Sequence, residues 1–238
     1  ITINNCYIHN FTATTILFAY SNVGANWSAD SNYYSELKVT NSEFEGMATV
    51  FSCTGGFASP NKLTFSNCYF ANMGGNVVGT ALYHVPGGLD MNHCTFNNCA
   101  STAAKYELNI GFKSGVTTPA IIKNTLFANR PATSTTVNVF GTAVSGSPNS
   151  NNAVYYTNGT TATIYPATLN YSITSDPVIV NKVATSTDYL HAATDGLVIG
   201  YKGVQKIAPI LVADIVDNDV DHNMDITFPA NSAWESAI

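Results

Sequence analysis

Charge is what this sequence has least of. Of its 238 residues 10% are charged, with nine Lys and Arg against fifteen Asp and Glu, and Arg130 is the lone arginine. At a net charge of −6 and without a basic stripe, the chain has nothing to neutralise a run of phosphates, which excludes nucleic acid as a partner. No run of about eighteen apolar residues occurs, so no membrane insertion by a helix is expected. Amphipathic helical periodicity of useful length is missing from the first two thirds of the chain. So is C-x-x-C spacing, which leaves the five cysteines without a zinc pattern. No leader pattern is present either. The chain enters on a strand phrase at Ile1, and the expectation is that further repeats precede it.

What the chain does have is a phrase it repeats: apolar–x–apolar–x–Asn–small–x–aromatic or apolar. It reads ITINNCYI from Ile1, LKVTNSEF from Leu37, LTFSNCYF from Leu63, LDMNHCTF from Leu89 and AIIKNTLF from Ala120. The corner positions Asn5, Asn41, Asn67, His93 and Asn124 are 36, 26, 26 and 31 residues apart, and a weaker copy places Asn152 another 28 on. A period in the twenties to thirties marks a stack of units, each burying its apolar side against the next.

Within each copy apolar residues alternate strictly, so Ile3, Val39, Phe65, Met91 and Ile122 should face inward. Thr2, Lys38, Thr64, Asp90 and Ile121 should face outward. Asn tolerates the left-handed backbone, which suits a corner between strands, and a His replacing it at position 93 reads as structural. After the corner comes a short second strand, with Phe44, Phe70, Phe96 and Phe127 inward and Tyr7, Glu43, Tyr69 and Thr95 outward. A third β-rich run follows in each unit, such as ATVFSCT from Ala48. Like residues should then stack at about 4.8 Å in asparagine, small-residue and aromatic ladders.

Cys6, Cys68 and Cys94 fall in one inward slot that Ser42 and Thr125 also fill. A slot that accepts all three wants a small residue. Neighbouring cysteines there would hold their Cβ atoms about 4.8 Å apart, beyond disulfide reach, so buried free thiols are expected.

These phrases resemble the right-handed parallel β-helix, or pectin-lyase-like, superfamily, in which I-x-I-x-N-N-x-F-x-N phrases mark successive coils. The resemblance covers about residues 1–160 and implies an all-β fold, a right-handed single-stranded parallel β-helix with about three short strands per coil. Residues 161–238 then form a last irregular coil and a loop-rich C-terminal cap. Asp176–Pro177, Asp188–Tyr189–Leu190 and Leu197–Val198–Ile199–Gly200 are similar to the closing segment of bacterial members, although Asp195–Gly196 departs from the usual Ser-Pro. Such a segment should cover the open end of the stack. Abundant Thr, Ser, Asn and Gly with few Lys, on such a fold, point to a secreted or cell-surface protein.

The superfamily holds lyases, hydrolases, adhesins and inert surface proteins. Its lyases use Lys or Arg as base, usually with a cation. The candidates here are Lys105, Lys123 and Arg130, with Lys113 as a companion, although Lys123 and Arg130 fall on different sides of one coil. Its hydrolases use paired aspartates in a cleft, and Glu43, Glu45 and Asp90 do not make that pattern. Outward aromatics offer a different chemistry. Tyr7 and Tyr69 share one outward slot, while Trp27, Tyr33 and Tyr34 lie in a long first insertion, and aromatic faces beside amides and hydroxyls suit a sugar ring. The run DIVDNDVDHNMDI carries Asp217, Asp219 and Asp221, which could hold Ca²⁺ or form a solvated loop. No cofactor is required. The expected role is non-catalytic carbohydrate interaction, adhesion or scaffolding toward a glycan, with a polysaccharide lyase acting on a uronate-containing glycan as the alternative; the oligomeric state is not legible.

Overall fold

The asparagine phrase calls for a strand, a corner and a second strand, and the chain follows that plan. A computed structural model describes residues 1–9, 11, 16–20, 34–53, 60–80, 88–101, 107–109, 121–129, 136–138, 149–151, 154–156, 163–165, 173, 175–203, 214–218 and 223–227. The protein is all-β with parallel sheets, and one helical turn (Thr187–Leu190, α1) is the exception among the described residues. No described helix is long and apolar enough to cross a membrane.

The first parallel sheet contains β1 (Thr2–Asn4), β4 (Tyr34–Thr40), β7 (Pro60–Ser66), β10 (Leu89–Asn92), β13 (Ile121–Lys123) and β16 (Asn149–Asn151), in that spatial order. The second contains β2 (Tyr7–Ile8), β5 (Glu43–Glu45), β8 (Tyr69–Ala71), β11 (Thr95–Asn97), β14 (Leu126–Ala128) and β17 (Val154–Tyr156). The third takes β3 (Ile16–Tyr20), β6 (Thr49–Cys53), β9 (Val78–Thr80) and β12 (Leu108–Asn109), while β15 (Thr136–Asn138) pairs in parallel with β18 (Thr163–Tyr165). Each of the first two sheets therefore gathers every third of the described strands from β1 to β17.

Register places equivalent residues side by side. Ile3 pairs Val39, then Phe65, Met91 and Ile122 in turn, and the last four are fully buried. In the second sheet the buried rings stack: Phe44 on Phe70 at 5.4 Å, Phe70 on Phe96 at 4.7 Å and Phe96 on Phe127 at 4.9 Å between centroids. Ring separations near the inter-strand spacing of about 4.8 Å make this ladder a direct product of the register.

The corners explain the asparagines. Asn5, Asn41, Asn67, His93 and Asn124 have φ of 55°, 49°, 52°, 51° and 46°, a region that Asn and His enter more readily than most residues. Three of the amides also tie their repeat to the one before: Asn41 Nδ2 donates to Asn4 Oδ1 at 2.9 Å, Asn67 Nδ2 to Asn41 Oδ1 at 2.9 Å and Asn124 Nδ2 to Asn92 Oδ1 at 3.1 Å. A second corner repeats the device, with Asn98 Nδ2 donating to Asn72 Oδ1 at 2.7 Å.

The slot after the first corner needs more than small size. Ser42 Oγ donates to Thr40 O at 2.7 Å and Thr125 Oγ1 to Lys123 O at 2.7 Å; the Cys68 and Cys94 thiols point in the same way at Ser66 O (3.4 Å) and Asn92 O (3.5 Å). A short side chain with one hydrogen to give closes the corner by reaching the carbonyl two residues back. Cys6, Cys68, Cys94 and Cys99 are free thiols.

Residues 1–203 form one compact unit and 204–238 another. Within the first, residues 175–203 fold as a clip along the outward face of the second sheet. The reason for this placement is chemical. β14 presents Leu126 and Ala128 outward, and the clip buries both beneath Ala184, Tyr189, Ala193 and Ile199. The corner groups supply the polar partners. Thr194 N–H donates to Asn124 Oδ1 (2.9 Å), Gly200 N–H to Asn124 O (2.8 Å), Tyr201 N–H to Thr95 Oγ1 (2.8 Å) and Lys202 N–H to Asn67 Oδ1 (2.8 Å). The clip thus steps from one repeat to the next. Gly200 makes the closest approach: its φ is +90°, and an added Cβ would collide with Thr95 Oγ1 and lie 3.1 Å from Leu126 Cβ. Inside the clip β19 (Ile179–Val180) and β20 (Val183–Ala184) form a hairpin whose two turn residues, Asn181 and Lys182, have φ of 48° and 72°.

In the second unit β21 (Asp214–Asn218) pairs antiparallel with β22 (Asn223–Thr227), so the acidic run includes a two-stranded ribbon.

Candidate functional site

Among the described residues the outward faces of the first two sheets can be compared, and they differ. On the second sheet Tyr7, Glu43, Tyr69, Thr95 and Leu126 form one row by register, as the shared-slot reading requires. The clip covers most of that row. Tyr69 is 5% exposed, with the Tyr201 ring 5.6 Å away, so it presents no free face to a sugar. Burial pushes its phenol up to about 12 against the Asn97 amide bond (2.9 Å), with Cys99, Glu45 and Glu43 adding to the rise. Glu43 accepts from both Lys182 and the Tyr201 hydroxyl. Tyr7 is 52% exposed, yet His9 stacks on it at 4.2 Å and the Lys182 ammonium lies 4.1 Å over the ring. Its hydroxyl is spent on Glu45 Oε2 at 3.2 Å. Of the two rings expected to stack on sugars, Tyr69 is buried and Tyr7 is half exposed, and a segment more than a hundred residues away engages both.

The outward face of the first sheet is different in kind. Its strands carry Thr2 and Asn4, then Glu36, Lys38 and Thr40, then Lys62, Thr64 and Ser66, then Asp90 and Asn92, then Ile121 and Lys123, all at least partly accessible. Register aligns Thr2, Lys38, Thr64, Asp90 and Ile121 in one row and Asn4, Thr40, Ser66, Asn92 and Lys123 in the next. Thr64 donates to the Glu36 carboxylate, and Lys62 lies 3.5 Å from Asp90 Oδ2. Both partners of that ion pair are more than a third exposed, so it adds little to stability and remains open to exchange with a ligand. Glu36 and Lys62 were not among the residues singled out from sequence. The signal for them was present, since each is two positions from an outward residue on its own strand.

Of the lyase candidates, Lys123 lies exposed at the end of β13; Lys105, Lys113 and Arg130 lie outside the described residues. So do Trp27, Tyr33, Asp219 and Asp221, while Tyr34 falls in β4 and Asp217 in β21 opposite Met224. Glu43 and Glu45 share the outward side of one strand of the second sheet, and Asp90 stands apart from them on the first. Among the described residues no three of His, Cys, Asp and Glu gather as a metal site. His93 is the surprise of the corner ladder. It is 1% exposed, and both ring nitrogens bond the clip: Nδ1 lies 3.1 Å from Val198 O and Nε2 2.8 Å from Asp195 Oδ2.

No protein-family model matches this sequence, and comparison with curated proteins finds no match.

Proposed function

We propose that the three-sheet stack is a right-handed parallel β-helix and that the protein is a secreted or cell-surface module that contacts a glycan without catalysing its cleavage. One observation carries this reading: the outward face of the first sheet is a plane of hydroxyl, amide, ammonium and carboxylate groups in parallel rows. Sugar hydroxyls pair with such groups, and rows about 4.8 Å apart give an extended chain repeated contacts along the stack. The carboxylates on that face pair with Thr64 and Lys62, partners that a ligand's hydroxyls can exchange with, which favours binding over hydrolysis.

The test is a glycan array probed with the folded protein, run beside an absorbance assay for unsaturated uronate products. Binding without product supports the module. Product formation would replace it with a polysaccharide lyase and direct mutation to Lys105, Lys123 and Arg130. Neither signal on any glycan would leave the binding proposal without support and favour a structural stalk.

A further inference from the structure

A buried histidine whose two ring nitrogens both face acceptors is chemically specific. Val198 offers His93 Nδ1 a carbonyl, which can only accept, so Nδ1 carries a proton. Asp195 offers Nε2 a carboxylate at 2.8 Å, and an ionised carboxylate can only accept as well. Asn124 cannot relieve Nε2 of a proton. Its Oδ1 is fixed by the Thr194 N–H at 2.9 Å, and its Nδ2 donates to Asn92 Oδ1 and Thr194 Oγ1 while standing 3.5 Å from the ring. Both contacts are therefore complete only with the imidazolium.

The charged surroundings agree. Asp195 carries the one carboxylate in contact with the ring among the described residues, and Lys202 Nζ lies 4.0 Å from its Oδ2. His191, in the same loop, bonds Gly196 O at 3.1 Å and is exposed, while Lys123, beside Asn124, points to solvent. Partial desolvation works to raise Asp195, but the bonds from His93 and the Leu197 N–H, with the charges of His93 and Lys202, outweigh it and hold the carboxyl below its ordinary value. The other described corners of this ladder hold Asn, which cannot titrate. The histidine stands where the clip crosses, between the Asn124 and Asn67 contacts.

We propose that residues 191–203 are a proton-dependent latch: the His93 imidazolium clamps the loop through Asp195 and Val198, and loss of that proton loosens the loop and uncovers the outward row at Thr95 and Tyr69. The sign follows from the bonds. A neutral ring has one N–H for two acceptors, so deprotonation leaves either the carbonyl or the carboxylate without its donor, and the latch weakens as pH rises.

The experiment is amide hydrogen exchange of residues 192–202 in the intact chain, corrected for intrinsic rates, across about pH 5 to 8, where histidines change charge. The amides of β8 and β11 serve as internal reference. Protection of the Gly200 and Tyr201 amides should fall severalfold more than that of the reference as pH rises, as the neutral ring leaves one acceptor without its donor. In Asp195→Asn the amide can donate as well as accept, so the neutral ring is satisfied and the fall should shrink. His93→Asn, which restores the ladder residue, should abolish it. Asp195 lies in an exposed loop, so its variant keeps the test available if the His93 variant does not fold. Protection in the wild type that tracks the reference across this range would overturn the proposal, as would an equal fall in Asp195→Asn.

Discussion

At the scale of single residues the corner asparagines do two jobs, and substitution can separate them. Asn67 adopts φ of 52°, donates to Asn41 Oδ1 and Gly203 O, and accepts the Lys202 N–H. Asn67→Ala loses the bonds and strains the backbone, at a cost of roughly 2–4 kcal/mol by denaturant unfolding. Asn67→Gly loses the same bonds but keeps the conformation easy, so it should cost about 1 kcal/mol less. Equal losses would mean that the left-handed backbone contributes nothing. The thiols make a second test. Burial, reinforced by the adjacent Cys68, pushes the Cys94 thiol well above its ordinary value, so its thiolate is scarce at neutral pH. Native protein treated with an alkylating reagent should label Cys6, which is only partly buried, ahead of Cys68, Cys94 and Cys99, read by peptide mass.

At the scale of elements the aromatic ladder is the main apolar contribution of the second sheet. Phe70 stacks on rings on both sides, so Phe70→Ala should cost about 3–5 kcal/mol and Phe70→Leu clearly less, since leucine still fills most of the space. These strands were legible in the sequence because period-two alternation and the asparagine corner are local signals. The inward residues read from Ile3 to Ile122 are the ones the sheets pair. The clip was not legible, for a physical reason. Its bonds join Asn67 to Gly203 and His93 to Asp195 across a hundred residues or more, and no periodicity encodes such pairing. The phrase around Asp188–Tyr189–Leu190 marked a closing segment, yet only the fold reveals that Tyr189 is fully buried, donating from its hydroxyl to Ser175 O at 2.8 Å. The burial of Tyr69 was illegible for the same reason, because what covers an outward slot is not written in the slot.

At the scale of the whole molecule, two groups act on stability at the ends of the pH range, Tyr69 beneath the clip and Asp195 within it. Tyr69 keeps its proton to about 12 when folded, whereas an ordinary tyrosine loses it near 10.0. Above that value the unfolded chain binds fewer protons than the folded one, so stability should fall as pH rises from about 10 toward 12, and Tyr69→Phe should flatten the fall in a thermal melt series. Asp195 acts at the other end. Its depressed carboxyl contributes stability above the ordinary Asp value of 3.8 that is lost as pH falls through the folded value, and Asp195→Asn should remove that acid step.

Among the described residues the outward faces of the first two sheets differ in chemistry: the second is occupied by the clip, and the first presents partly accessible polar rows. The most direct test of that difference is calorimetric titration of the best glycan from an array against Lys38→Ala/Thr64→Ala/Asp90→Ala on the first sheet and Tyr7→Ala on the second. The account predicts a loss of at least about tenfold in affinity for the first-sheet variant, as expected for two or three lost hydrogen bonds, and little change for Tyr7→Ala. Unchanged affinity in the first-sheet variant, with loss in Tyr7→Ala, would contradict it.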